Sequence, residues 1–230
     1  MTVDPVPLKI PLDRGDKTTA LIYEAPLAEA VGPATLILAH GAGAGQRSPF
    51  MISFARALAE RGLDVVTFNF LYTEQRRRAP DRLPQLVSCY RAVIAAVREH
   101  VETARQRPFI GGKSMGGRVA THVAAEDPAV PITGIVLLGY PLHPPGRPDQ
   151  LRDAHLPKVG RPMLFVQGGR DAFGTPAELK LILDKISPPP TLHTVEGGDH
   201  SFKIPGRDAA KQAAGYSEIQ NTIIEWMART

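Results

Sequence analysis

Short runs of apolar and β-branched residues alternate with longer stretches of helical periodicity along almost the whole chain, and few folds accept that order. Ala34–Ala39 (ATLILA), Leu63–Phe68 (LDVVTF), Phe109–Gly112, Ile132–Leu138 (ITGIVLL), Met163–Gln167 (MLFVQ) and Thr191–Val195 read as buried strands. Val6–Ile10 and Ala20–Glu24 read as a hairpin-like opening edge. Between the strands, Ser48-Pro49 provides an N-cap and a proline for a helix that runs to Arg61 and stops at Gly62. Leu86, Tyr90, Val93, Ile94, Val97 and Val101 fall on one face of a long helix, and Met115–Glu126 forms another. Thr175-Pro176-Ala177-Glu178 is a capping box for a helix with Leu179, Ile182, Leu183 and Ile186 inside, and Tyr216, Ile219, Ile223, Trp226 and Met227 mark a closing helix. The alternation predicts an α/β architecture: a mostly parallel sheet of about eight strands with helices on both faces. At 230 residues, with 43% hydrophobic and 22% charged residues, the chain reads as one globular domain, 1–230.

Several function classes recede on composition. The net charge is +4, but the basic residues are scattered apart from Arg76-Arg77-Arg78 and nearby Arg82, so no nucleic-acid footprint is expected. The single cysteine, Cys89, can form neither an internal disulfide nor a zinc site by itself. The opening residues hold no apolar signal region, and the charge-free stretch Ala129 to Gly146 carries four prolines, Pro131, Pro141, Pro144 and Pro145. Neither a membrane span nor secretion is expected, and the location expected is cytoplasmic.

Chemistry concentrates at Gly112-Lys113-Ser114-Met115-Gly116, which fits G-x-S-x-G, a strand-to-helix turn that exposes a serine. Glycines two residues to either side remove the Cβ atoms that would collide in so sharp a turn, and the helix that follows points its positive end at the serine. A phosphate-binding loop would need glycine at position 107, where Arg107 stands. Upstream, His40-Gly41-Ala42-Gly43-Ala44-Gly45 ends a buried strand; Gln46 replaces the last glycine of a dinucleotide fingerprint. The loop reads instead as an oxyanion loop, with backbone N–H groups from Ala42 and Met115, or from Gly41 in place of Ala42. His40 reads as a hydrogen-bonded structural residue.

A nucleophilic serine requires a base, and the base an orienting acid, in the chain order serine, acid, histidine for such a turn. His200 lies in Gly197-Gly198-Asp199-His200-Ser201-Phe202, between the last strand and the last helix, at the carboxyl end of the sheet. His100 precedes the serine, His122 is fixed on the helix after it, and His193 lies within a strand. The acid expected is Asp171, on the loop after Met163–Gln167, since Thr175 already caps the next helix. Asp199 is its competitor, although successive side chains tend to diverge.

With these residues assembled, the chain resembles an α/β-hydrolase. It is most similar to small uncharacterised hydrolases close to the dienelactone-hydrolase-like group, through His40–Gly43, Ser48-Pro49-Phe50 and Gly112–Arg118. The resemblance implies the α/β-hydrolase fold, a Ser-Asp-His triad, no cofactor and no metal, and a small-molecule ester-type substrate. Dienelactone hydrolases proper look to carry cysteine where this chain has Ser114, so lactone specificity does not carry over. Some relatives serve as complex subunits, which leaves a binding or scaffold role as the alternative to a carboxylic ester or thioester hydrolase; peptidase, lyase and peroxidase chemistries share the triad. Gly139 to Arg161 spans 23 residues, too few for a cap domain, so a shallow, open site is expected. Its expected rim is Tyr140, Leu142, His143, Phe50 and the loop Tyr72–Pro84, whose Arg76–Arg78 could attract an anionic acyl or carboxylate group but read first as exposed arginines that touch no substrate. Lys113 carries no expected role.

Overall fold

The computed structural model describes residues 4–26 and 32–230. Its strands are β1 (Val6–Pro11), β2 (Lys17–Tyr23), β3 (Thr35–Ala39), β4 (Asp64–Phe68), β5 (Pro108–Lys113), β6 (Gly134–Leu138), β7 (Met163–Gly168) and β8 (Thr191–Val195). They form one eight-stranded sheet in the order β1-β2-β4-β3-β5-β6-β7-β8. The edge hairpin is antiparallel and joins β4 antiparallel; every pairing from β4 to β8 is parallel. The expected architecture is therefore the observed one, with no large cap domain.

The parallel strands divide their side chains between two cores, as a period of two requires. Ile37, Ala39, Ile110, Ile135, Leu137, Met163 and Phe165 face one core, completed by α3 (Leu83–His100), α5 (Met115–Glu126) and α6 (Pro176–Leu183). Leu36, Leu38, Phe109, Val136, Leu138, Leu164 and Val166 face the other, closed by α1 (Pro49–Ala59) and α7 (Ala209–Arg229). Two short helical turns, α2 (Leu71–Glu74) and α4 (Glu102–Gln106), fill connections.

Boundaries moved where ladder pairing, rather than residue type, sets the limit. Ile132 is buried but unladdered, because β6 begins only where Gly134 meets Phe109 of β5. Lys17, Thr18 and Thr19 extend β2 backward, because Pro11, Ile10 and Lys9 stand opposite them. The helix from Pro49 ends at Ala59, and the chain turns through Gly62 at a φ of +87°. Ser48 has an extended backbone but forms no side-chain cap bond, whereas Thr175 and Glu178 form the complete capping box.

One buried side chain ties α3 to the centre of the sheet. The Tyr90 hydroxyl accepts the Gly111 N–H at 2.9 Å and lies 2.6 Å from the Gly111 carbonyl oxygen and 2.7 Å from that of Ile37, with one proton to donate between them. Tyr90→Phe leaves these buried backbone groups short of a partner, which costs about 1–3 kcal/mol. The expected result is a lower midpoint of urea unfolding with an unchanged slope.

Candidate active site

Ser114 stands between the last residue of β5 and the first of α5, with φ 51° and ψ −116°, a left-handed conformation costly for any residue with a side chain. The neighbouring backbone leaves no alternative path. A Cβ on Gly112 would come within 2.5 Å of the Gly116 carbonyl carbon, and one on Gly116 within 2.5 Å of the Ala39 carbonyl oxygen. The strand, the turn and the helix thus press against the end of β3, and only glycine fits at both points. The Ser114 N–H donates to Leu138 O at 2.9 Å, which pins the turn to β6.

Facing this serine, the chain brings two distant loops together. The Ser114 hydroxyl lies 2.8 Å from His200 Nε2, and His200 Nδ1 lies 2.7 Å from Asp171 Oδ2. With Nδ1–H donated to the carboxylate, Nε2 is left to accept the serine proton. Asp171 is buried and also accepts the Phe173 N–H on Oδ1 at 2.8 Å and Gln167 Nε2–H on Oδ2 at 2.9 Å. The Phe173 ring lies 4.3 Å from the imidazole, centroid to centroid.

Asp199 does not approach the imidazole in this way; its Oδ1 accepts the N–H groups of Ser201 at 2.7 Å and Lys203 at 2.9 Å, so it folds the loop that carries His200. Lys113, given no role from sequence, donates from Nζ to His200 O at 2.5 Å. Burial lowers the Lys113 pKa to about 8, against the pull of Asp171 and Asp199. His40 is fully buried: Nδ1 donates to Gly41 O at 2.9 Å, Nε2 accepts the Phe70 N–H at 3.2 Å, and burial lowers its pKa. It secures the glycine loop.

Sequence reasoning passed over Gln167. Its Oε1 accepts the Tyr140 N–H at 2.8 Å while Nε2 donates to Asp171 and, at 2.7 Å, to Gly174 O. The signal was present: a lone amide ends an otherwise apolar strand, four residues before the acid.

A cavity of about 990 Å³ opens at Ser114 and His200 and is bordered by Gly41, Ala42 and Met115. Its volume lies at the upper end of the range for ligand pockets. Met115 is the first residue of α5, so its N–H has no partner within the helix. The rim differs from expectation. Phe50 borders the cavity, as do Pro80, Asp81 and Leu83, but Tyr140, Leu142 and His143 are buried elsewhere. They belong to the β6–β7 segment and are buried beneath it, where the Tyr140 hydroxyl donates to Arg152 O at 2.6 Å within the same segment. Arg76–Arg78 are exposed and do not border the cavity; Arg77 pairs with Asp81. The arginines that do border it are Arg118 of α5 and Arg152. Among the described residues no cluster of histidine, cysteine and carboxylate side chains could hold a metal ion, and no helix is long and apolar enough to cross a membrane.

Comparison with known proteins extends these findings. A family profile described as an alpha/beta hydrolase domain matches residues 32–228. A dienelactone hydrolase from Anabaena variabilis superposes with a TM-score of 0.77 at 21% identity, over 100% of this chain and 99% of that one. A serine hydrolase without a lid from Xanthomonas campestris gives 0.74 at 24% identity, over 98% and 96%. Est1E from Butyrivibrio proteoclasticus gives 0.70 at 14% identity, over 96% and 99%. At these identities the likeness is one of fold.

His122 of α5 and His155 of the β6–β7 segment stack with centroids 3.6 Å apart and planes within 11°, and the Thr121 hydroxyl lies 2.8 Å from His155 Nε2. Burial and the Arg118 charge lower the His122 pKa from 6.5 to about 4; burial, His122 and Arg118 lower that of His155 to about 3. As pH falls below 6.5 the unfolded chain takes up protons that the folded pair refuses, so stability present at neutral pH is lost from about pH 6.5 down to about 4 for His122 and about 3 for His155. The urea midpoint is expected to drop from pH 7 to pH 5, and to drop less in His122→Gln. An equal drop in both proteins would remove the pair from this linkage.

Proposed function

The chain belongs to the α/β-hydrolase family, and from that premise we propose that it is a serine hydrolase that cleaves a carboxylic ester or thioester through an acyl-enzyme on Ser114. The observation that carries this reading is the hydrogen-bonded chain from Ser114 through His200 to Asp171, at 2.8 and 2.7 Å. Similar structures include a dienelactone hydrolase and Est1E, which supports an ester-type substrate.

In this reaction Ser114 Oγ attacks the substrate carbonyl carbon while His200 Nε2 accepts its proton. The carbonyl electron pair moves onto oxygen. The N–H groups of Met115 and of Ala42, or of Gly41, together with the positive end of α5, stabilise that oxyanion. Asp171, denied other solvation by burial, holds the imidazole tautomer and offsets the charge of the imidazolium. As the tetrahedral adduct collapses, His200 returns its proton to the departing alcohol or thiol. Water then attacks the acyl-enzyme by the same route and releases the carboxylic acid.

A fluorophosphonate probe is expected to label Ser114 covalently, and Ser114→Ala to lose both labelling and ester turnover while it unfolds near the wild-type temperature. Turnover by Ser114→Ala close to wild type would overturn the assignment. Asp171→Asn is expected to lower kcat on a p-nitrophenyl ester by about a hundredfold or more, because the imidazole loses its tautomer and its counter-charge. Asp199→Asn keeps an oxygen for its loop N–H groups and is expected to cost less than about tenfold. The reverse ranking would transfer the acid to Asp199.

A further inference from the structure

Cations crowd the cavity, and they have few partners there. Lys113, Arg118, Arg152 and Lys203 border it, whereas Asp81 is the one carboxylate on its wall among the described residues. Asp81 is already engaged: it accepts Arg77 on one oxygen and the Tyr72 N–H on the other. Lys113 is engaged with His200 O, and Lys203 is exposed. Asp153 lies near enough to Tyr140 to raise its pKa, yet no ion pair joins it to either arginine.

Arg118 and Arg152 remain. Both are half-buried, and among the described residues neither is paired with a carboxylate. Arg118 Nε is buried without a hydrogen-bond partner. Arg152 makes a single long contact from its guanidinium, to Pro141 O at 3.5 Å. The two charges are near enough to oppose each other, and burial with the Arg118 charge lowers the Arg152 pKa.

This repulsion is held in place rather than relaxed. Arg152 lies on an irregular segment, yet its N–H donates to Leu142 O at 2.8 Å and its carbonyl accepts the Tyr140 hydroxyl at 2.6 Å. Arg118 lies one turn along α5 from Ser114, with its N–H donated to Ser114 O at 3.1 Å and its carbonyl accepting the Thr121 hydroxyl at 2.7 Å. Both backbones are anchored, so the two residues stay on the wall of one cavity. An oxyanion bound between their guanidinium groups would give each a charged acceptor and offset the repulsion between them.

We propose that Arg118 and Arg152 form an oxyanion subsite in the Ser114 cavity, and that the substrate is an ester or thioester whose acyl or leaving part carries a carboxylate or phosphate-type group. This rests on the hydrolase reading for the chemistry, but not for the binding. Ser114, Arg118 and Arg152 border one cavity, so the anion and the scissile carbonyl belong to one bound molecule.

Binding and turnover separate the two claims. Titrate Ser114→Ala, which cannot consume a ligand, with monomethyl adipate, methyl 4-phosphonobutyrate and neutral dimethyl adipate. At least one anion is expected to bind tenfold or more tighter than dimethyl adipate, and the stronger of the two identifies the preferred group. Adding Arg118→Gln or Arg152→Gln is expected to abolish that preference. Arg118→Lys and Arg152→Lys, which keep the charge, are expected to restore part of it, and thermal unfolding checks that each variant is folded. If neither anion outbinds the diester, or if the glutamine variants keep the preference, the subsite is overturned. Wild-type turnover of p-nitrophenyl valerate and mono-p-nitrophenyl adipate is measured in parallel. Loss of both reactions with anion selectivity intact would overturn the hydrolase reading and leave the subsite standing.

Discussion

At the carboxyl end of β5 the backbone has almost no room. The carbonyl of Ala39, the turn at Ser114 and the first residues of α5 approach so closely that a methyl group at Gly112 or Gly116 would sit 2.5 Å from main-chain atoms. That crowding lets a serine hold a positive φ at the head of a helix: the sheet and the helix around the turn offer it no relaxed alternative. The strain is local, and it is opposed by the two packed cores on either side of the sheet. From this one point follow the placement of the Ser114 hydroxyl against His200 and the position of the Met115 N–H at the head of α5.

The partners of the serine come from loops, and loops need fastening. Asp199 folds the His200 loop on itself, Lys113 grips its main chain, and the Tyr216 hydroxyl donates to Ser201 O at 3.1 Å. On the other side Gln167 joins Asp171 to the backbones of Tyr140 and Gly174. Together these ties hold the imidazole between the Asp171 carboxylate and the Ser114 hydroxyl. Lys113 shows how burial and function meet: its amine is costly to keep charged, yet it lies in the field of two aspartates that favour the charge.

The β6–β7 segment has a comparable role for the cavity. Too short to form a domain, it nevertheless folds across the end of the sheet and is stitched down by Tyr140, by Leu142 and by the stacking of His155 on His122. It thereby delivers Arg152 to the wall of the cavity next to Arg118. A site that lacks a lid thus draws its electrostatic character from a connection.

Much of this was legible in the chain itself. The alternation of apolar runs and helical periodicity determined the layers and the succession of strands and helices along the chain, since both signals depend only on residues a few positions apart. The order of the strands in the sheet was left to the tertiary structure. The capping box at Thr175 and Glu178 and the glycines of the Ser114 turn were legible for the same reason: each is a rule about neighbouring backbone. The serial order of Ser114, Asp171 and His200 could also be read, together with the loops on which they lie. The tertiary structure alone decided that these three side chains come within hydrogen-bonding distance, that Asp199 ties a loop instead, and that Gln167 donates to Asp171. It also decided which arginines face the cavity, in favour of Arg118 and Arg152 over the conspicuous Arg76–Arg78 run. Irregular segments carry no periodicity from which a direction could be inferred. Their course is set by bonds such as Tyr140 to Arg152 and Lys113 to His200, between residues 12 and 87 positions apart, which exist only once the sheet has brought their elements together.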